Sequence, residues 1–287
     1  MSIDILQERI RKIKSPLIVD LTPRDDQIPP ALREEAGNEA LLVYCRSLLD
    51  GLQQKVAGIR FRFDRFALMG ALDRLSELMK TAMDLGYYVL LDGPSILSPW
   101  DAEVAAEAVF WDGSQYPCHG MILSPWIGSD AIKPFLPYCK QGKSVFFAVR
   151  SANKTAAELQ DLMTGSRVVH AAAADIVNRH AEPLTGKSGY CHVGVMTAGT
   201  NAASVSGLRA KYKRLFLLVD GIDYPGGNAK ICSYAFDKFG HGAAVCAGTD
   251  ILAAWAQEDD GDGNYVELAA KAAERLKANI SRYVAVL

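Results

Sequence analysis

The sequence predicts a single (β/α)8 barrel from three observations: eight short apolar runs alternate with helical stretches, the chain is 287 residues long, and no linker or repeat divides it. A parallel strand covered on both faces reads as an almost unbroken apolar run, because helices bury one side and the barrel interior buries the other. Eight such units in this length favour a closed barrel over an open sheet. The runner-up, a dinucleotide-binding open sheet, needs a Gly-rich turn after its first strand. Here that turn reads Leu21-Thr22-Pro23-Arg24, without glycine.

The elements follow in order. Residues 1–14 interleave Asp4, Glu8, Arg9, Arg11, Lys12 and Lys14 with apolar residues, the pattern of an amphipathic helix packed on the barrel and not of a secretory signal. Strands are expected at 17–20, 56–63, 87–92, 120–123, 144–149, 192–196, 215–220 and 243–247. Helices are expected at 36–54, 68–85, 101–110, 129–139, 155–163, 202–211, 228–239 and 265–282, with an extra one at 166–182.

Hydrophobic residues make up 49% and charged residues 22%, enough for a sizeable core. A net charge of -2 favours neither nucleic acid nor an anionic membrane as a partner. No apolar run reaches the length of a membrane span, so a cytoplasmic protein is expected. The acidic run Glu258, Asp259, Asp260 and Asp262 reads as a solvated loop. Cys45, Cys118, Cys139, Cys191, Cys232 and Cys246 form no C-x-x-C pair and read as thiols kept reduced. His119, His170, His180, His192 and His241 have no ligand spacing, so no metal is expected. Leu184-Thr185-Gly186-Lys187-Ser188 ends like a phosphate-binding loop, but Ala181 stands where its first glycine belongs.

Barrel chemistry sits at the C-terminal ends of strands. That rule selects Asp20 and Thr22, Arg60 and Arg62, Asp92, Ser124 and Trp126, Arg150 and Ser151, Thr197, Asp220 and Asp223, and Gly248 to Asp250. Aspartates at 20, 92, 220 and 250 end four strands. Such a ring suits a metal, a sugar or a proton, while the bland alternative is that single members cap the following helices. Trp100 and Trp126 either stack on a ligand or plug the mouth.

Several segments together carry a family resemblance. Ser15-Pro16-Leu17-Ile18-Val19-Asp20-Leu21-Thr22-Pro23-Arg24, Ser124-Pro125-Trp126-Ile127-Gly128-Ser129-Asp130, Val149-Arg150-Ser151-Ala152-Asn153 and Leu218-Val219-Asp220-Gly221-Ile222-Asp223-Tyr224-Pro225-Gly226-Gly227 resemble, in order, segments of orotidine 5'-monophosphate decarboxylases of the long bacterial type. The resemblance spans nearly the whole chain. It implies a homodimer that binds a pyrimidine ribonucleotide and removes its carboxylate without a cofactor. It also implies an Asp-x-Lys-x-x-Asp motif at the end of the third strand, whose lysine donates the proton.

That motif reads Asp92-Gly93-Pro94-Ser95-Ile96-Leu97 here. Asp92 keeps the first acid, Pro94 replaces the lysine and Leu97 the second acid, with Asp101 the alternative for the latter. The resemblance places ligand contacts at Asp20, Thr22, Arg60, Ser151, Asp220, Asp223, Gly226, Gly227 and Thr249. Several depart from the family pattern: Thr22 stands for an Asp, Arg60 for a Lys, Ala152 for the base-contacting Ser, Pro225 for a Gln and Thr249 for the phosphate-binding Arg. The expectation is therefore a decarboxylase-like barrel with a degenerate site, binding a different small molecule, phosphorylated or not. Two alternatives stand beside it: a non-catalytic binding or regulatory relative, and a true decarboxylase whose lysine comes from elsewhere, such as Lys133 or Lys154.

Overall fold

The computed structural model describes residues 2–258 and 261–285. Eight parallel strands close into a barrel: β1 (Leu17–Asp20), β2 (Gly58–Arg62), β3 (Tyr88–Asp92), β4 (Gly120–Leu123), β5 (Ser144–Ala148), β6 (Val193–Ala198), β7 (Leu217–Asp220) and β8 (Ala243–Ala247). Each strand pairs with its sequence neighbours, and β8 returns to β1 through Ile18 opposite Cys246.

Period-two alternation sorts the side chains into two cores. Outward residues such as Val19, Phe61, Leu91 and Val145 meet the helices in one apolar cluster. Inward residues Ile18, Tyr88, Leu90, Ile122, Phe146, Phe216 and Leu218 fill the lower barrel in another. The rings of Phe146 and Phe216 meet edge-on at 6.1 Å. Gly194 makes room for them, since a Cβ there would lie 2.5 Å from the Phe216 carbonyl and 2.7 Å from the Phe146 ring. The N-terminal helix Ser2–Ile13 closes the bottom, burying Ile3, Leu6 and Ile10 completely against the inward cluster.

The same alternation aims the mouth residues. Asp20 follows Ile18 by two, Asp92 follows Leu90 and Asp220 follows Leu218, so all three aspartates point inward above the apolar plug. Register sets their neighbours: Asp20 lies beside Arg60, and Arg62 beside Asp92.

Several helices differ from the sequence expectation. Residues 129–139 form two 3₁₀ turns and the short helix Leu136–Lys140, because Pro134 and Pro137 remove the N–H groups a longer helix needs. Residues 155–163 supply only a 3₁₀ turn and the helix Ala157–Gln160. The chain then turns at Gly165 (φ 64°) through a small hairpin pairing Met163 with Val168. Residues 228–239 shorten to Ala229–Ser233. The helix expected over 36–54 forms as Ala40–Gly51, preceded by a 3₁₀ turn at Gly37–Glu39 and by a separate helix, Pro30–Ala36. Of the expected acidic loop, Asp259 and Asp260 lie outside the described residues, while Asp262 accepts the Ala31 N–H at 3.3 Å. Among the described residues no helix is long and apolar enough to cross a membrane.

Candidate functional site

Arg60 is the centre of the mouth. Its side chain is 1% exposed, and Nε donates to Asp92 Oδ2 at 2.9 Å while Nη1 donates to Asp220 Oδ1 at 2.9 Å. Nη2 also donates to Asp92 Oδ2, and Asp20 Oδ2 stands 3.9 Å from Nη1. One guanidinium fork thus ties β2 to β3 and β7 at once, which the flat five-donor geometry of arginine allows. Burial by itself would depress the Arg60 pKa; attraction from Asp220, Asp92 and Asp20 outweighs it and holds the group well above its ordinary range.

Arg62 forms a second tier. Nε donates to Asp20 Oδ2 at 2.6 Å, and Nη1 lies 3.6 Å from Asp92 Oδ2. Its backbone N–H donates to Thr22 Oγ1 at 3.0 Å. Burial opposes the charge of Arg62 and repulsion from Arg60 works the same way, but Asp20, Asp92 and Asp220 raise its pKa on balance.

Two cavities flank this network. One, of about 320 Å³, is walled by Asp20, Thr22, Arg24, Gln27, Asp220, Asp223 and Thr249, among others. The second, of about 360 Å³, is walled by Asp92, Pro94, Trp126, Ser151 and Gln160, among others. Arg62 and Arg65 line both, so the cavities are two lobes of one mouth divided by these side chains. Among the described residues, no lysine, histidine or cysteine lines either lobe, and no cluster of metal-ligand side chains occurs.

The expected site residues divide cleanly. Asp20, Thr22, Asp220, Asp223 and Thr249 meet in the first lobe, Asp92 and Ser151 in the second, and Arg60 lies beneath both. Asp223 Oδ2 is occupied by the Gly248 and Asp250 N–H groups at 2.7 and 3.3 Å, stapling the β7 and β8 loops together. Ser151 Oγ is tied to Asn153 and Gln160 at 2.8 and 3.2 Å. Burial, and then the nearness of Asp223, raises the pKa of Asp250, which faces a different cleft beside Lys230 and Arg282.

Five of the expected residues, Asp101, Gly226, Gly227, Lys133 and Lys154, line neither lobe. Asp101 is a helix-capping residue: it accepts the Leu97 and Ser98 N–H groups at 3.1 and 2.8 Å in a reciprocal capping box with Ser98, and it lines neither lobe. Gly226 and Gly227 also stay out of the mouth, and the Gly227 N–H is committed to the Tyr224 carbonyl at 2.8 Å. Lys133 pairs with Asp130 at 3.4 Å on the surface, and Lys154 lies in a turn beyond β5; neither reaches the mouth. The sequence reading missed Arg65, Gln27 and Gln160. Arg65 belongs to the short helix Phe63–Leu68 past β2, beyond the strand-end window, so no periodicity marks it.

No protein-family model matches the chain. Curated relatives do. The orotidine 5'-phosphate decarboxylase of Clostridium kluyveri is 28% identical over 286 residues, covering 98% of this chain and 97% of that protein. The enzyme of the same name from Caldicellulosiruptor bescii is 26% identical over 273 residues, covering 88% and 89%. Among solved structures, the Leishmania donovani OMP decarboxylase matches with a TM-score of 0.71 at 22% identity, covering 96% of this chain and 99% of that one. The Plasmodium berghei orotidine 5'-monophosphate decarboxylase matches with a TM-score of 0.74 at 12% identity, covering 97% and 99%. The structural likeness carries the fold, and the end-to-end sequence likeness is to enzymes named orotidine 5'-phosphate decarboxylase.

Proposed function

We propose that this barrel binds a small phosphorylated molecule in its mouth and does not decarboxylate orotidine 5'-monophosphate at a useful rate. The observation that carries the reading is the Arg60 fork. It neutralises Asp92 and Asp220 in a closed network, and Pro94 stands on the wall of the second lobe where the resemblance puts the proton-donating lysine.

The chemical argument is one of proton supply. Protonating a developing carbanion needs an acid whose pKa lies near the working pH. The cations in the mouth are arginines, and those of Arg60 and Arg62 are pushed further up by their aspartates. One preorganised group commonly contributes two to three factors of ten, at about 1.4 kcal/mol each, so losing both the donor and the second acid costs several kcal/mol of transition-state stabilisation. Binding does not need that donor. Asp20 Oδ1 is buried without a hydrogen-bond partner among the described residues, which leaves an acceptor on the first lobe for a ligand hydroxyl or N–H. The test is to follow the loss of pyrimidine absorbance with purified protein and orotidine 5'-monophosphate; turnover at a normal enzymatic rate would overturn the reading.

A second reading, true decarboxylation from a rearranged site, is favoured by the names of the relatives matched across 98% of the chain. Arg62 is then the electrostatic substitute, since it is 37% exposed and lies 3.6 Å from Asp92. A homodimer belongs to either reading. Its support is the exposed stripe Leu97, Trp100, Val104 and Trp111 along and beside the helix Pro99–Phe110, a patch larger than scattered surface apolar residues require. W100E is expected to shift the protein towards monomer in sedimentation; an unchanged mass would remove that face from consideration.

A further inference from the structure

We infer that Arg65, seconded by Arg24, is the anion-binding residue of the mouth, and that it takes the phosphomonoester dianion of the ligand from the side of the β1 and β2 loops. The proposal deepens the binding function above and rests on it for the mouth being a ligand site.

Arg65 lines both lobes. Arg60 and Arg62 are each engaged with aspartates, and Arg24 pairs with Asp26 at 2.9 Å. Arg65 differs: among the described residues its guanidinium has neither an ion pair nor a side-chain hydrogen bond. Burial, which disfavours its charge, acts together with repulsion from Arg62 and Arg24, and only Asp20 and Asp25 attract it. A partly buried arginine surrounded by other arginines is costly to keep in an empty protein. An oxyanion in the first lobe removes that cost, because the guanidinium fork matches phosphate oxygens in pairs.

The opposite wall supports the same direction. Thr249 is neutral and its hydroxyl already accepts from Gln27 Nε2 at 3.3 Å. The Gly227 N–H is spent on Tyr224, and among the described residues no cation from the β7 or β8 loops lines the lobe. Among the described residues, the positive charge lining the first lobe therefore comes from Arg24, Arg62 and Arg65. Arg24 is half exposed and its surface pair with Asp26 is weak, so it is free to turn towards a bound dianion. Two guanidinium groups match a phosphomonoester at neutral pH better than a singly charged carboxylate.

Inorganic phosphate tests the site directly. In protein labelled at arginine with 15N, the Arg65 Nε–H resonance, identified by its absence in R65Q, is expected to shift saturably with phosphate. R65Q should lose that binding, and R24Q should weaken it about threefold to tenfold. R65Q is expected to melt at or above the wild-type temperature, which separates lost binding from lost folding. Uridine 5'-monophosphate and uridine form the second arm: wild type should prefer the nucleotide at least tenfold, and R65Q should lose the preference. No saturable phosphate binding, equal binding in R65Q, or a preference that survives in R65Q would each overturn the assignment. Phosphate binding at Arg65 with no affinity for either uridine compound would support the anion site while removing the nucleotide as its ligand.

Discussion

Arg60 on β2 donates to Asp220 on β7 at 2.9 Å, crossing above β1 and β8 inside the closed barrel. A single buried side chain therefore joins strands that share no backbone hydrogen bonds. Removing it leaves Asp220 without its ion-pair partner and Asp20 and Asp92 with Arg62 alone.

R60M is accordingly expected to destabilise the fold by about 3 kcal/mol, the low end for a broken buried ion pair, because Asp92 and Asp220 keep some contact with water. D220N, which keeps the shape and one hydrogen bond, should cost less, about 1–2 kcal/mol. Urea unfolding of both variants checks the order; equal and negligible losses would show that the fork does not hold the mouth.

The same network bears on catalysis. If Asp92 serves only to hold Arg60, D92N should leave any residual loss of orotidine 5'-monophosphate absorbance unchanged. A fall of a hundredfold or more in D92N would instead show that Asp92 acts on the substrate.

At the other end of the barrel, His119 stacks on Tyr88 at 4.9 Å, and its Nδ1 accepts the Val89 N–H at 3.0 Å. Burial, followed by the nearby charges of Lys143 and Arg9, pushes its pKa down from 6.5 to about 4. A base whose folded pKa is depressed takes up protons more readily when unfolded. Stability from this group is thus complete above the unfolded value of 6.5 and is lost as the pH falls towards about 4. The loss should reach about 3 kcal/mol. H119N, which keeps an acceptor for Val89, should flatten the stability curve between those two pH values in urea titrations.

The N-terminal helix is a plug and not an appendage. L6A is expected to cost about 2–5 kcal/mol, because Leu6 is fully buried among the rings at the barrel floor and the cavity left there has no route to collapse. Thermal melting that matches wild type would mean the helix detaches freely.

Much of the architecture was legible without coordinates. Eight apolar runs, each short and bounded by turns, state a parallel sheet because only a strand covered on both faces is apolar throughout. Asp20, Asp92 and Asp220 could be placed at the mouth, since each ends a run and chemistry gathers at strand C-termini. Pro94 could likewise be read at the position where the resemblance puts a lysine. The helices that form within 129–139 and 228–239 are shorter than the sequence pattern implies. The first contains Pro134 and Pro137, whose missing N–H groups were in plain view, while the shortness of Ala229–Ser233 follows from no residue we can name.

Tertiary structure alone decided how the mouth residues use one another. Sequence marked Arg60 as charged and near the site, but not that its fork would span from β3 to β7, because strands distant in sequence become neighbours of one side chain only when the barrel closes. Nor did it show that Asp101 would be absorbed by a helix cap, or that Arg65 would be left without an ion pair among the described residues. Local patterns determine which residues point inward. Which inward charges find partners depends on distances across the closed barrel, and those exist only once it has folded.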